Sequence, residues 1–165
     1  MYRLLLFISM FFALSLPAQQ LKIHKGDFEV ATAAMFSRAE LAGNFRFGAY
    51  VQDYIQLGLD VGYQETDFFS KSSIGAYLLA LVETRTYFLP YYGGGLYYSS
   101  LDSPVGDSFS GVDLRLFGGI KYYVADNVSL NTELLIGYST DDTYIKSSET
   151  TSSDISLRVG ISYLW

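Results

Sequence analysis

The feature that most constrains the fold is a strict alternation of apolar and polar residues at the end of the chain. Across residues 153–165, every second position is apolar or aromatic: Ile155, Leu157, Val159, Ile161, Tyr163 and Trp165. The positions between them are charged, hydroxylated or glycine. A period of two indicates a β-strand with two unlike faces. We therefore predict that residues 153–165 form the closing strand of a barrel with an apolar outside and a polar inside.

The first 18 residues have the character of an export signal. A short basic start is followed by a nearly continuous apolar run over residues 4–16, and Pro17 and Ala18 then supply a helix breaker and a small residue. The run is too short for a stable membrane-spanning helix. We predict a signal peptide over residues 1–18 that is cleaved after Ala18. Residues 19–26 are then a short periplasmic lead, and residues 27–165 form one barrel domain.

Composition excludes several classes of function. The chain has no cysteine, which excludes disulfides, thiol catalysis and thiolate metal sites. Its net charge of -6 argues against a general affinity for nucleic acid. Half of the residues are hydrophobic, with 15 Tyr and 12 Phe, yet no later apolar run reaches the length of a transmembrane helix. The chain must hide its apolar surface in another way.

Eight alternating segments follow the signal, joined in turn by short turns and longer polar loops. We predict strands over residues 27–36, 41–51, 55–65, 73–88, 91–98, 111–124, 128–138 and 153–165. Most have the ten or so residues that a tilted strand needs to cross a bilayer. Short turns that alternate with longer loops are typical of outer-membrane barrels. The predicted fold is all-β, an eight-stranded antiparallel transmembrane β-barrel in up-and-down order, located in the bacterial outer membrane.

The composition of the polar face indicates that it lines a narrow lumen. It is rich in glycine, which suits an interior only just wide enough for side chains. Aromatic residues of the other face lie near strand ends, as membrane-interface girdles do: Tyr63, Tyr98, Tyr122, Tyr138, Tyr163 and Trp165. The charges of the polar face nearly cancel, and we predict that they form an ion network in the lumen: Glu29, Arg46, Asp60, Glu83, Arg85, Asp113, Arg115, Lys121, Glu133, Asp154 and Arg158.

Energetics favour the same orientation. Turning the basic residues of that network toward lipid would cost roughly 2–4 kcal/mol each, about 10–20 kcal/mol together. That sum rivals the roughly 5–15 kcal/mol that stabilises a typical domain. Folding the second and third strands about Asp53 predicts Arg46 opposite Asp60. Folding the sixth and seventh about Asn127 predicts Lys121 opposite Glu133.

A local motif resembles a known family. Residues 87–98 read Y-F-L-P-Y-Y-G-G-G-L-Y-Y, which is similar to the aromatic, proline and small-residue run around the second periplasmic turn of small OmpA/OmpX-type outer-membrane β-barrel proteins. The resemblance implies that Tyr163 and Trp165 form the terminal aromatic signal read by the barrel-assembly machinery, although a final Phe is more usual there. It also implies contact with outer-membrane lipid and lipopolysaccharide.

The sequence lacks the parts of an enzyme. Its single histidine, His24, precedes the first strand, so a Ser-His or Asp-His site at the outer rim cannot be assembled. The glycines at 93–95 are followed by no helix and no Lys-Ser/Thr, which favours strand glycines over a phosphate cradle. We predict no catalytic residues, no cofactor and no metal site.

The role of the barrel is left with several alternatives. Eight strands leave little more than room for side chains, which favours an ion-pair plug and a structural or surface-interaction role. A narrow, porin-like channel for small solutes is the alternative. A soluble barrel with an apolar ligand inside is a third, against which the apolar exterior counts. The acidic outer loops are a solvated rim, or else they bind divalent cations with lipopolysaccharide or an extracellular partner.

Overall fold

The alternating segments form β-strands in a computed structural model that describes residues 22–37, 40–66, 69–102, 108–146 and 149–165. The predicted signal peptide lies outside these residues, as do parts of several loops. The strands within them are Phe28–Ser37 (β1), Glu40–Gln52 (β2), Ile55–Glu65 (β3), Ser70–Leu81 (β4), Phe88–Asp102 (β5), Phe109–Ala125 (β6), Val128–Ser139 (β7), Tyr144–Lys146 (β8), Glu149–Thr151 (β9) and Ser153–Leu164 (β10).

Strands β1 to β7 and β10 form a closed antiparallel barrel. Each strand pairs with its neighbour in that series, and β10 also pairs with β1, which closes the wall. Strands β8 and β9 form a separate hairpin in the connection between β7 and β10. The predicted eight-stranded antiparallel barrel is therefore confirmed. Among the described residues, no helix has the length and apolar character needed to cross a bilayer.

The two faces of the wall have the orientation that the alternation predicts. Large apolar side chains are exposed around the outside, among them Phe45, Leu59 and Leu96. Polar side chains such as Asp60 and Arg115 are buried inside. In a hydrocarbon environment, exposed apolar side chains carry no free-energy penalty. Buried charged side chains do, unless they have ion-pair or hydrogen-bond partners.

A different segment lies at each end of the barrel. The lead before β1 lies at one end, which we call the lead end, and the β8–β9 hairpin lies at the other, which we call the hairpin end. At the lead end, Ile23 is fully buried against a cluster that includes Tyr50, Tyr123 and Leu164. The backbone N–H of Gly26 donates to the Tyr50 carbonyl at 2.8 Å, which ties the lead to β2. The lead is thus part of the barrel's packing. At the opposite, hairpin end, Thr143 and Tyr144, next to or at the start of β8, are buried.

The predicted fourth strand was too long, which removes two residues from the predicted ion network. Strand β4 ends at Leu81, one residue beyond Ala80, which lies opposite the first residue of β3, Ile55. Glu83 and Arg85 lie in the connection over residues 82–87, where both are exposed. Their placement in the lumen was wrong. Pro90, predicted in a turn, lies in β5 with Ile120 opposite it.

Candidate functional site

A central cluster of four charged side chains spans the lumen. It consists of Arg46 on β2, Asp60 on β3, Glu133 on β7 and Arg158 on β10. Arg46 donates from Nε to Asp60 at 2.8 Å and from Nη1 and Nη2 to Glu133 at 2.7 and 3.0 Å. Arg158 Nη1 donates to Asp60 at 3.1 Å and to Glu133 at 3.3 Å. Each carboxylate therefore binds two guanidinium groups, and each guanidinium joins non-adjacent strands.

Neutral groups complete the central cluster. Asn44 Nδ2 donates to Asp60 at 3.1 Å, and the Tyr91 hydroxyl donates to Glu133 at 3.2 Å. The Arg46 guanidinium lies over the rings of Tyr77 and Phe117, at 5.2 and 4.7 Å from their centroids. Such contacts compensate buried charges for lost hydration, since an unpaired charge in a low-dielectric interior is costly.

A second pair lies nearer the lead end. Lys121 Nζ donates to Glu29, and the Tyr50 hydroxyl donates to the same carboxylate at 2.8 Å. The predicted partner of Lys121 was Glu133, and that prediction is wrong. Lys121 is opposite Asn131, while Glu133 is opposite Gly119. A register irregularity between Tyr123 and Ala125 accompanies this shift.

A third cluster, at the hairpin end, is built around Asp113. Its Oδ2 accepts from Arg115 Nη2 at 2.7 Å and from Ser99 Oγ at 2.6 Å, and its Oδ1 accepts from Thr143 Oγ1 at 3.1 Å. Lys71 Nζ lies 3.8 Å from Oδ2. Lys71 is absent from the predicted network because residues 66–72 were assigned to a loop.

Most residues of the predicted ion network lie in the lumen, within the part of the chain that the structure describes. Asp154, half-buried on β10, lines a cavity with Lys71, Arg115 and Arg158. With it, the three clusters hold five acidic and five basic side chains: Glu29, Asp60, Asp113, Glu133 and Asp154 with Arg46, Lys71, Arg115, Lys121 and Arg158. The formal charge of this set is zero.

Glycines of the polar face lie opposite aromatic rings. Gly58 pairs with Tyr77 and Gly93 with Phe117, each on the adjacent strand. A Cβ added at Gly58 would lie 2.6 Å from the Tyr77 ring, and one at Gly93 would lie 2.6 Å from the Phe117 ring. The rings therefore fill space that the glycines vacate. The glycine-rich polar face predicts a narrow lumen, and glycines that face Tyr or Phe on a neighbouring strand are the sequence signal for these pairs.

The predicted assembly signal lies on the outside of the lead end. Tyr163 and Trp165 are exposed, with ring centroids 6.1 Å apart. Trp165 also stacks on Phe28 at 6.1 Å and lies 6.3 Å from Phe47. His24 is exposed in the lead, away from the clusters. Within the described ranges, no group of three or more acidic or histidine side chains is arranged to hold a metal ion.

The fold is similar to solved structures of outer-membrane barrels. The N-terminal β-barrel domain of Pseudomonas aeruginosa OprF matches with a TM-score of 0.70 and 14% identity, over 86% of this chain and 98% of that one. The Neisserial surface protein NspA matches with a TM-score of 0.61 and 18% identity, over 83% of this chain and 94% of that one. P. aeruginosa OprG matches with a TM-score of 0.62 and 12% identity, over 89% of this chain and 99% of that one.

These likenesses establish the architecture. The chain has the fold of the small eight-stranded outer-membrane barrels of the OmpA/OmpX type. No family model matches the sequence, and no curated protein matches it.

Proposed function

We propose that the protein is an integral barrel of the bacterial outer membrane, exported through a cleaved signal peptide, with a structural and surface-interaction role and no enzymatic activity. The observation that carries the proposal is the central cluster, because it joins β2, β3, β7 and β10 across the lumen. A side-chain bridge at that position supports a plugged interior.

The exterior supports insertion in a bilayer. Aromatic side chains stand at the lead end, where Phe28, Phe47 and Trp165 contact one another, and where Phe88 stacks on Tyr122 at 4.7 Å. Between the ends, the outward positions carry Leu, Ile and Val side chains that are about half exposed. An apolar band between aromatic girdles is the surface of a transmembrane barrel.

The lumen supports a plug over a channel. Two cavities lie among the charged clusters, and each has a volume of about 30 Å³. A single water needs roughly 10–15 Å³. These spaces therefore fit about two or three waters each, far less than a file of hydrated ions needs. Tyrosine rings opposite glycines occupy much of the remaining volume.

We assign the proposed partners to the wall and to the two ends of the barrel. Outer-membrane lipid and lipopolysaccharide would contact the wall, and the barrel-assembly machinery would read Tyr163 and Trp165. At the hairpin end, Asp102, Asp141 and Asp142 are exposed. Exposed carboxylates there would meet divalent cations, or a basic extracellular partner, from outside the cell.

Conductance measurement tests the plug. We expect the wild-type protein, reconstituted in planar bilayers, to show no steady ion current. The double variant Arg46→Ala/Glu133→Ala removes the bridge between β2 and β7, and we expect it to conduct in bursts. Lys25→Ala is the matched control, since Lys25 is exposed in the lead, and it should stay silent. Steady conductance of the wild type would overturn the plugged barrel and support the narrow channel.

Cell fractionation tests the location separately. We expect the mature chain in the outer-membrane fraction, released by detergent and resistant to carbonate or high salt. Recovery of folded protein without detergent would overturn the membrane assignment and support the soluble alternative.

A further inference from the structure

The cavity beside the hairpin-end cluster has an unusual lining. Of the charged residues that line it, Lys71, Arg115 and Arg158 are basic and Asp154 is acidic. The other cavity is balanced more closely, with Glu29 and Glu133 against three basic side chains. The carboxylate of Asp113 contacts Lys71 and Arg115 without lining the hairpin-end cavity. The surface that faces this space is therefore basic.

The same lining residues carry hydrogen-bond donors that the described structure leaves unused. Lys71 Nζ, Arg115 Nε and Arg158 Nε are buried and make no hydrogen bond of normal geometry within the described residues. The Lys71 side chain is only 7% exposed. Its Nζ atom lies 3.8 Å from Asp113 Oδ2 and 3.6 Å from the centroid of the Tyr144 ring. Buried donors of this kind normally have an acceptor.

Tyr144 lines this space at the hairpin end. Its side chain is buried and packs against Gly137, where an added Cβ would lie 2.6 Å from the tyrosine Cζ. Its hydroxyl lies close to Arg115 and Asp113 but makes no hydrogen bond of normal geometry among the described residues. Burial raises the pKa of the Tyr144 hydroxyl, so this group stays protonated and is a further donor at neutral pH.

We propose that the hairpin-end cavity binds a small monovalent anion, chloride or a halide that replaces it. Among the fully buried side-chain atoms of the described lining residues that lack a hydrogen bond, donors outnumber acceptors, since Asn44 Oδ1 is the one acceptor among them. A water would bring two hydrogens that need acceptors of their own. A monatomic anion accepts from several donors and brings none.

Size sets the class of anion. A cavity of about 30 Å³ is small, which favours a monatomic ion over larger anions. Sulfate, phosphate and organic carboxylates are larger, and their extra oxygens would meet apolar walls such as Met35 and Leu135. The site therefore selects halides by volume, and this selectivity does not depend on whether the barrel is plugged or conducts.

Linked stability measures the binding. The folded mature protein in detergent micelles is titrated with sodium bromide against sodium gluconate at constant ionic strength, and the urea midpoint is read from fluorescence. A ligand that binds only the folded state raises its stability in a saturable way. We expect such a rise in the wild type and in Lys22→Gln, a matched loss of one exposed positive charge. We expect Lys71→Gln to raise the half-saturating concentration at least tenfold.

A milder variant and a direct image complete the test. Tyr144→Phe keeps the ring and removes the hydroxyl, so it should weaken bromide binding severalfold even where Lys71→Gln fails to fold. Anomalous diffraction from bromide-grown crystals should place a peak within hydrogen-bond distance of Lys71 Nζ. The proposal is overturned by equal responses of wild type, Lys71→Gln and Tyr144→Phe, by water alone in the cavity, or by binding at crystal concentration only.

Discussion

Arg46 and Glu133 are 87 residues apart in the chain, yet they form a bidentate ion pair across the barrel, with N–O distances of 2.7 and 3.0 Å. Two parallel hydrogen bonds of this kind fix both position and orientation. Because β2 and β7 are not adjacent in the wall, the pair holds opposite sides of the barrel together.

Loss of Arg46 should be more damaging than loss of a matched pair. Arg46→Ala leaves Asp60 and Glu133 with Arg158 as their remaining basic partner in the central cluster, and removing one partner of a buried pair costs about 3–5 kcal/mol. Arg46→Gln combined with Asp60→Asn keeps neutral hydrogen bonding and should cost less. Urea unfolding in detergent measures both. A double variant less stable than Arg46→Ala would contradict this account.

Charge exchange tests the observed partner of Lys121. Lys121→Glu alone places two carboxylates together with Glu29 and should destabilise the barrel strongly. Adding Glu29→Lys should restore much of the loss, because the pair is re-formed in reverse. Adding Glu133→Lys should not, since Glu133 lies with Arg46 and Arg158. The difference in unfolding midpoint between the two double variants decides which pairing is right.

A methyl group at Gly58 should destabilise the barrel. It would press on the Tyr77 ring and on the Phe47 carbonyl, and overpacking of this kind costs about 1–3 kcal/mol. Gly43→Ala is the control, because an added Cβ there meets nothing within 4 Å. We expect Gly43→Ala to unfold at the wild-type midpoint and Gly58→Ala at a lower urea concentration.

The lead should contribute to stability through one side chain. Ile23→Ala removes a buried group from the cluster at the lead end, and such truncations cost about 2–5 kcal/mol. Lys25→Ala changes an exposed neighbour and should cost little. An Ile23→Ala protein with the wild-type unfolding midpoint would show that the lead merely rests on the barrel.

The alternation of residues predicts the strands and their faces because a strand with a period of two has no other way to separate polar from apolar groups. The register of the β6–β7 hairpin was harder to predict from the sequence. In both two-residue hairpins, the register away from the turn is centred on the first turn residue, Asp53 or Asp126. Folding about Asp53 gave Arg46 opposite Asp60, which is the observed register. Folding β6 and β7 about Asn127 instead of Asp126 shifts the register by two residues. It therefore predicts Lys121 opposite Glu133, whereas the observed partner is Asn131.

The remaining errors concern strand ends and contacts across the lumen. The composition around Glu83 and Arg85 continues the alternation, but strand length is set by the partner strand, which the local sequence does not contain. Lys71 was missed for the same reason, since β4 begins at Ser70 opposite Glu65. The Glu29–Lys121 and Arg46–Glu133 contacts cross the closed lumen. They depend on how the whole sheet curves, which local periodicity cannot specify.

Closure by β10 has a consequence for biogenesis. This strand bridges β7 and β1, and the β1 contact joins the two barrel strands that lie farthest apart in sequence. Its loop-closure entropy is the largest in the wall, so it is expected to form late. Until it forms, two sheet edges lack hydrogen-bond partners and Arg158 has not reached Asp60. A nascent chain must therefore be sheltered from premature self-association until β10 arrives.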